Sequence, residues 1–162
     1  MNIIRPAHNQ VAKKVKSWSQ IKEQATELRQ FIGMTEGIVE GYYKTAYAIS
    51  HAQVSPEPFD FFVVNEEKND LIKLFGSWCI INPRIIKQEE EVYWKEACMS
   101  FPYYKERNVD RFNKITITYK IPFFKYFMRS VTKHFIGLPA FICQHEQEHA
   151  NGTNIYGRTK QK

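Results

Sequence analysis

One segment late in the chain constrains the fold more than any other. Residues 138–143 form an apolar run, and His145-Glu146-Gln147-Glu148-His149 follow almost at once. Pro139 suits the first turn of a helix, which is expected to run to about Asn151 and to end near Gly152. Histidines four residues apart lie on one helix face, about 40° apart around the axis, so both imidazoles can reach one metal ion. Glu146 stands beside the first, where its carboxylate can take a proton from water held at that ion. H-E-x-x-H also arises by chance on solvated helix faces, so its meaning depends on a third ligand.

One helix face cannot close a tetrahedral site, so that ligand must come from another segment. Residues 150–162 contain no His or Cys, which places it upstream. Cys98 leads, within Glu96-Ala97-Cys98-Met99-Ser100, and Cys79, Cys143, His134 and His51 compete. Cys143 lies two residues before His145 and points to a different face of the same helix. His134 precedes the helix in a basic, aromatic stretch. A lone Cys is more often a small buried residue than a ligand, so metal chemistry alone leaves the choice open.

The rest of the chain supplies strands. Residues 17–34 are the exception, with Trp18, Ile21, Ala25, Leu28, Phe31 and Ile32 at helical spacing and Gly33 weakening the end. Residues 3–6 read as a short edge segment, and residues 36–47 are interrupted by Gly37 and Gly41. Strands are expected at 59–65, at 78–82 with a stop at Pro83, and at 115–119. A polar turn is expected at 66–70. Ile85-Ile86 and Val92-Tyr93-Trp94 read as strands around a solvated turn, Glu89-Glu90-Glu91. Residues 123–134 fit either a strand and turn or a strand pair. The expected class is α+β, with antiparallel β-sheets packed around the late helix that carries H-E-x-x-H.

Composition fits one domain, residues 1–162, with a sizeable core: 43% of residues are hydrophobic. Three Cys without framework spacing argue against a disulfide scaffold and suit a reducing cytosol. No apolar run approaches 18 residues, and residues 1–16 contain no apolar signal core, so neither a membrane span nor a secretory signal is expected.

Three motifs give the chain a family resemblance. Gln144-His145-Glu146-Gln147-Glu148-His149, with Gly152 soon after, resembles the Q-H-E-x-D-H motif of the peptide deformylases. Glu96-Ala97-Cys98-Met99-Ser100, with Pro102 after it, resembles their E-G-C-L-S. Tyr47-Ala48-Ile49-Ser50-His51-Ala52-Gln53 ends on the Gln of their G-x-G-L-A-A-x-Q but keeps no Gly. Ile81-Asn82-Pro83, Arg111, Lys114 and Gly137-Leu138-Pro139-Ala140 match in order and spacing, over roughly residues 3–158. With 13 residues after His149, the chain resembles the minimal members.

The resemblance implies a hydrolase that removes the formyl group from the N-terminal formyl-methionine of nascent polypeptides. It implies Cys98, His145 and His149 as ligands of one divalent ion, Fe²⁺ in cells, with Zn²⁺, Ni²⁺ or Co²⁺ also suited to the donor set. Glu146 is then the general base and acid, and Gln53 with the backbone N–H of Met99 holds the developing oxyanion. Tyr47, Ala48, Trp94, Leu138, Ile142 and Arg111 are the expected substrate contacts. The glycine-free stretch Ala48-Ile49-Ser50-His51 is expected to crowd the cleft and favour small second residues. Glu148, in place of Asp, is expected to orient a ligand imidazole. Another small H-E-x-x-H metallopeptidase and a non-catalytic metal-binding relative are the alternatives; intact Glu146 and Gln53 argue against the second, since neither is needed to bind metal.

The net charge of +6 and pI of about 9.2 collect visibly at the two ends, in Lys13, Lys14 and Lys16 and in Arg158, Lys160 and Lys162. Solubility is the simpler account. Attraction to ribosomal RNA near the nascent-chain exit is the functional one. A cytoplasmic monomer with no DNA partner and no membrane association is expected.

Overall fold

The computed structural model describes residues 10–34, 46–101 and 106–156. The segments at residues 3–6 and 36–45, and the basic residues 158–162, lie outside the described residues. Helix α1 is Trp18–Met34, followed by β1 (Ala48–Ser50), a single 3₁₀ turn (His51–Gln53) and β2 (Phe61–Val64). Then come α2 (Asn69–Phe75), β3 (Cys79–Glu96), β4 (Arg107–Phe123), β5 (Phe127–Ile136) and α3 (Leu138–Ala150). The strands form one antiparallel sheet in the order β1-β2-β3-β4-β5.

The β1–β2 end of this sheet is buried on both faces. Phe61 and Val63 face Trp18, Ile21, Ala25, Leu28 and Ile32 of α1. Their neighbours Phe62 and Val64 belong to the second cluster, with Ala140, Ile142 and Cys143 of α3. The period-two alternation of strand side chains accounts for the two cores, and it explains why β2 is a continuous apolar run.

Three expectations for the middle of the chain need correction. Pro83 does not stop a strand, and Glu89-Glu90-Glu91 is not a turn; β3 runs through both. The ladder shifts register between Ile81 and Arg84, with Asn82 at φ 50°, so Pro83 sits where a bulge relieves it of donating to the ladder. The acidic trio is solvated as expected, but within a strand: Glu89 and Glu91 pair with Lys114 and Phe112 on either side of Glu90, which stands at φ 60°. The polar turn expected at 66–70 is shorter, because Asn69 and Asp70 already belong to the short helix α2, closed by Gly76 at φ 78°. Residues 123–134 resolve as a strand pair joined by a tight turn at 124–126.

Asn82 also fixes the approach to α1. Its Oδ1 accepts from the Val15 N–H at 2.9 Å and its Nδ2 donates to the Val15 carbonyl at 2.8 Å. Lys14 pairs with the buried Asp60 beside it. Asn82→Ala removes both Val15 bonds and places a β-carbon-only side chain at positive φ. We expect a loss of about 2–4 kcal/mol in chemical denaturation. A midpoint shift equivalent to less than about 0.5 kcal/mol contradicts this role.

Candidate metal centre

Helix α3 begins where β5 turns inward at Gly137, whose φ of 70° is open to glycine at little cost. The Gly137 N–H donates to the Asn113 carbonyl, and Pro139 occupies the first turn. Gln144 then ties α3 to β4. Its Oε1 accepts from the Phe112 N–H at 2.9 Å, and its Nε2 donates to the Phe112 carbonyl at 2.8 Å. An amide side chain thus substitutes for a neighbouring strand, fixing the rotation of the helix one residue before His145.

That rotation brings His145 and His149 together with Cys98, which follows the end of β3. His145 Nε2 and His149 Nε2 are 3.2 Å apart, and Cys98 Sγ is 3.2 Å from His149 Nε2. All three donor atoms lie within 4.8 Å of one another. Tetrahedral ligands bound at about 2.0–2.3 Å lie roughly 3.3–3.7 Å from each other, so the spacing fits one ion. Glu146 Oε2 adds an independent sign: it is buried and accepts no hydrogen bond from the described residues. A borderline-soft donor set of one thiolate and two imidazoles suits a first-row divalent cation.

The competing donors lie elsewhere. Cys79 is buried in the α1 cluster and Cys143 in the α3 cluster, and burial pushes both thiols up, away from the thiolate form. His134 bonds through Nδ1 to Thr116 on β5's outer side. His51 is a core residue, stacked on Phe61 with centroids 4.7 Å apart, and its Nδ1 accepts from the Phe59 N–H at 3.0 Å.

Charge at the centre is arranged behind the ligands. Glu96 Oε2 lies 2.9 Å from His145 Nδ1, which leaves Nε2 for the metal position. Arg111 is 1% exposed and holds Glu96 through Nε and Nη2, both at 2.7 Å, and Glu148 through Nη1 at 2.5 Å and Nη2 at 3.1 Å. Burial alone favours the neutral Glu96 acid, but His145 and Arg111 outweigh it and hold its carboxyl at about 2. Burial likewise disfavours the Cys98 thiolate, yet His149 and His145 together draw the thiol well below its ordinary range. Glu146 moves the other way: burial raises it, and the neighbouring histidines only partly offset this.

Arg111 does not take the place at the substrate that the motif resemblance implies. It is 1% exposed and is not among the residues lining the cleft, being held between the carboxylates of Glu96 on β3 and Glu148 on α3. Glu148 was expected on an imidazole; the carboxylate at His145 Nδ1 is Glu96, and Glu148 holds Arg111. The motifs assign Glu96 no role, although a carboxylate two residues before the candidate thiolate is a visible signal. Ser100 was also unassigned; it accepts from Gln53 Nε2 at 3.1 Å.

An open cleft of about 370 Å³ leads to Cys98 and His145. Tyr47, Ala48, Trp94, Leu138, Ile142 and Gln53 line it, as do Met99 and Glu146. Trp94 stacks on Phe141 at 4.5 Å and 28° to form one wall. Gln53 Oε1 accepts from the Ser50 N–H, which turns Nε2 toward Cys98 Sγ at 3.9 Å. The expected crowding by Ala48-Ile49-Ser50-His51 does not occur. Ile49, Ser50 and His51 turn into the core, and only Ala48 of the four borders the cleft. The basis for preferring small second residues is therefore absent.

Residues 2–162 match the polypeptide deformylase family model. A peptide deformylase of Wolinella succinogenes is 30% identical over 136 residues, 78% of this chain and 70% of that protein. One of Helicobacter hepaticus is 39% identical over 85 residues, 52% of this chain and 41% of that protein. The fold matches the crystal structure of peptide deformylase from Thermotoga maritima with a TM-score of 0.73 at 23% identity, covering 98% of this chain and 97% of that one. It matches equally the actinonin complex of the enzyme from the Vibrio parahaemolyticus bacteriophage VP16T, with a TM-score of 0.73 at 24% identity, covering 96% and 100%. The chain belongs to the polypeptide deformylase family. That family comprises metal-dependent hydrolases that remove formyl groups from nascent peptides.

His51 gives the centre's surroundings a testable acid sensitivity. Burial holds its imidazole down to about 4, against 6.5 when free. The unfolded chain therefore takes up this proton first, and stability is lost as pH falls from about 6.5 to about 4. The loss attributable to this one group is about 3 kcal/mol. His51→Phe, which keeps the aromatic stack, should be less stable at pH 7 but show a flatter decline across that window. Parallel declines for the two proteins, measured by urea unfolding, contradict the assignment.

Proposed function

We propose that this chain is an active peptide deformylase, a single catalytic domain over residues 1–162, acting on N-formyl-methionyl peptides. The observation that carries the reading is the buried, unpartnered Glu146 Oε2 beside three converging metal donors. Cys98, His145 and His149 are the proposed ligands. A divalent ion held there supplies Lewis acidity, polarising a carbonyl oxygen and acidifying water.

The side chains divide the remaining work. Glu146 accepts a proton from the attacking water and returns it to the departing amine nitrogen; its raised affinity for protons, set by burial, suits both halves. Gln53 Nε2, held by the Ser50 contact, donates to the formyl oxygen as negative charge develops there, together with the backbone N–H of Met99. Trp94, Leu138, Ile142 and Tyr47 form an apolar wall for the methionine side chain, where sulfur–aromatic contact adds about 0.3–1.5 kcal/mol. Ala48 lies at the edge where the peptide backbone passes. Fe²⁺ is the proposed ion in cells, with Zn²⁺, Ni²⁺ or Co²⁺ able to occupy the same donors. The proposed setting is a cytoplasmic monomer associated with the ribosome. No described helix is long and apolar enough to cross a membrane.

Formate release from formyl-Met-Ala-Ser, measured on protein purified without oxygen, tests the activity. Internal cleavage of the peptide without formate would instead indicate a peptidase. Glu146→Gln should retain metal, measured by elemental analysis, and lose at least about 10²-fold in kcat. Near-normal turnover in the metal-loaded variant rejects the role of Glu146.

A further inference from the structure

The strongest unassigned feature is the β4–β5 hairpin, far along the sheet from the cleft. Residues 114–136 contain five Lys or Arg and no Asp or Glu, in a chain whose net charge is +6. Lys114 pairs with Glu90, but Lys120, Lys125, Arg129 and Lys133 meet no carboxylate among the described residues. The basic cluster near the N-terminus differs: Lys13 is paired with Glu57 and Lys14 with Asp60. Among the described residues the hairpin thus carries four cations without a carboxylate partner: Lys120 on one face, Lys125 in the turn, and Arg129 and Lys133 on the face of their cross-strand partners Ile121 and Ile117.

The hairpin tip is aromatic. Phe123 and Phe127 are cross-strand partners, and Phe124 and Tyr126 occupy the turn between them. Phe124 is 78% exposed and Phe127 68%. Phe124 also adopts φ 52°, a conformation that hairpin turns normally assign to Gly or Asn. A bulky residue there costs backbone energy and gains no burial, so folding does not account for it. Arg129 lies 5.4 Å from the Phe123 ring centroid and Lys125 lies 5.3 Å from that of Tyr126, so cations and rings are interleaved.

The sheet surface behind the tip is polar. Thr118 and Lys120 alternate with the buried Ile117, Tyr119 and Ile121, so they face away from the core. The ladders place Arg84, Thr118 and Thr132 in one row and Lys120 beside Ser130 in the next. We infer that this hairpin binds single-stranded RNA, with phosphates on the Lys120–Ser130 face and bases stacked on the tip aromatics. On this face Arg84 and Lys120, with the hydroxyls of Thr118, Ser130 and Thr132, match a phosphate chain; Lys125 carries positive charge to the turn, and the exposed tip rings match unpaired bases. An anionic bilayer would engage the tip and leave the polar rows unused. The inference is independent of the deformylation reading, because none of these residues borders the cleft.

Fluorescence anisotropy with a labelled 16-nucleotide oligo(U) RNA tests it on the whole protein. Binding is expected to weaken with salt at a log–log slope of about −0.7 per phosphate neutralised. Changing Arg84, Lys120 and Lys125 to Gln should weaken binding at least tenfold and flatten the slope. Phe124→Asn should weaken binding at an unchanged slope. Because Asn tolerates the turn conformation, its melting temperature should hold or rise, which separates ring loss from unfolding. Lys16→Gln with Lys22→Gln, at exposed sites away from the hairpin, should bind as the parent does. Equal affinity across all variants overturns the inference, as does no binding by the parent. Binding to phosphatidylserine vesicles but not to RNA also overturns it and marks a membrane-surface hairpin.

Discussion

The buried guanidinium of Arg111 is the interaction on which the rest of the site depends. It lies between two carboxylates from different elements, Glu96 at the end of β3 and Glu148 on α3, while Arg111 itself belongs to β4. Glu96 is two residues before Cys98 and touches His145; Glu148 adjoins His149. All three candidate ligands are thus positioned by one cation. Removing one partner of such a buried group typically costs about 3–5 kcal/mol, because the remaining charges lose their compensation. A planar fork with fixed donor directions also sets angles, which a flexible ammonium cannot do. Gln144 adds the second constraint by fixing the rotation of α3 against Phe112.

The electrostatic pattern around this cluster follows from burial. Glu96 stays ionised because cations face it, whereas Glu146, two residues before Glu148, is buried without a hydrogen-bond donor at Oε2 and shifts toward its neutral form. Two carboxylates a few ångströms from one metal position thereby acquire different roles. One is a fixed negative charge that orients an imidazole, and the other is the proposed proton carrier. Family membership and geometry meet at this point: the fold supplies the frame, and the difference between Glu96 and Glu146 supplies the chemistry proposed for it.

Much of this was legible in the sequence, and the failures have physical causes. The α1 stripe from Trp18 to Ile32 and the α3 segment were readable because helical periodicity and local end signals are contained in a short window. Strand β3 was misread because Pro83 and the acidic trio are local breakers. Tertiary pairing with β4, through a bulge at Asn82, overrode them. His145, Glu146 and His149 were visible as one motif on one helix. The Glu96–Arg111 contact was not, since it depends on the register of two long strands and no local spacing encodes it. His51 misled for the opposite reason: its position in a motif suggested the cleft, whereas the strand alternation that buries Ile49 and the stacking on Phe61 carry it inward.

Metal affinity of Arg111→Lys tests the central claim most directly. The substitution keeps the positive charge but removes the bidentate fork, so it separates orientation from neutralisation. Cobalt can serve as the probe, its binding followed by visible absorption in competition with a chelator under anaerobic conditions, with circular dichroism to verify the fold. If Arg111 positions the ligands, the folded variant should bind Co²⁺ about 10–100-fold more weakly than the parent. Equal affinity in a folded variant would show that Cys98, His145 and His149 hold their geometry without the guanidinium, and would contradict the dependence of the site on Arg111.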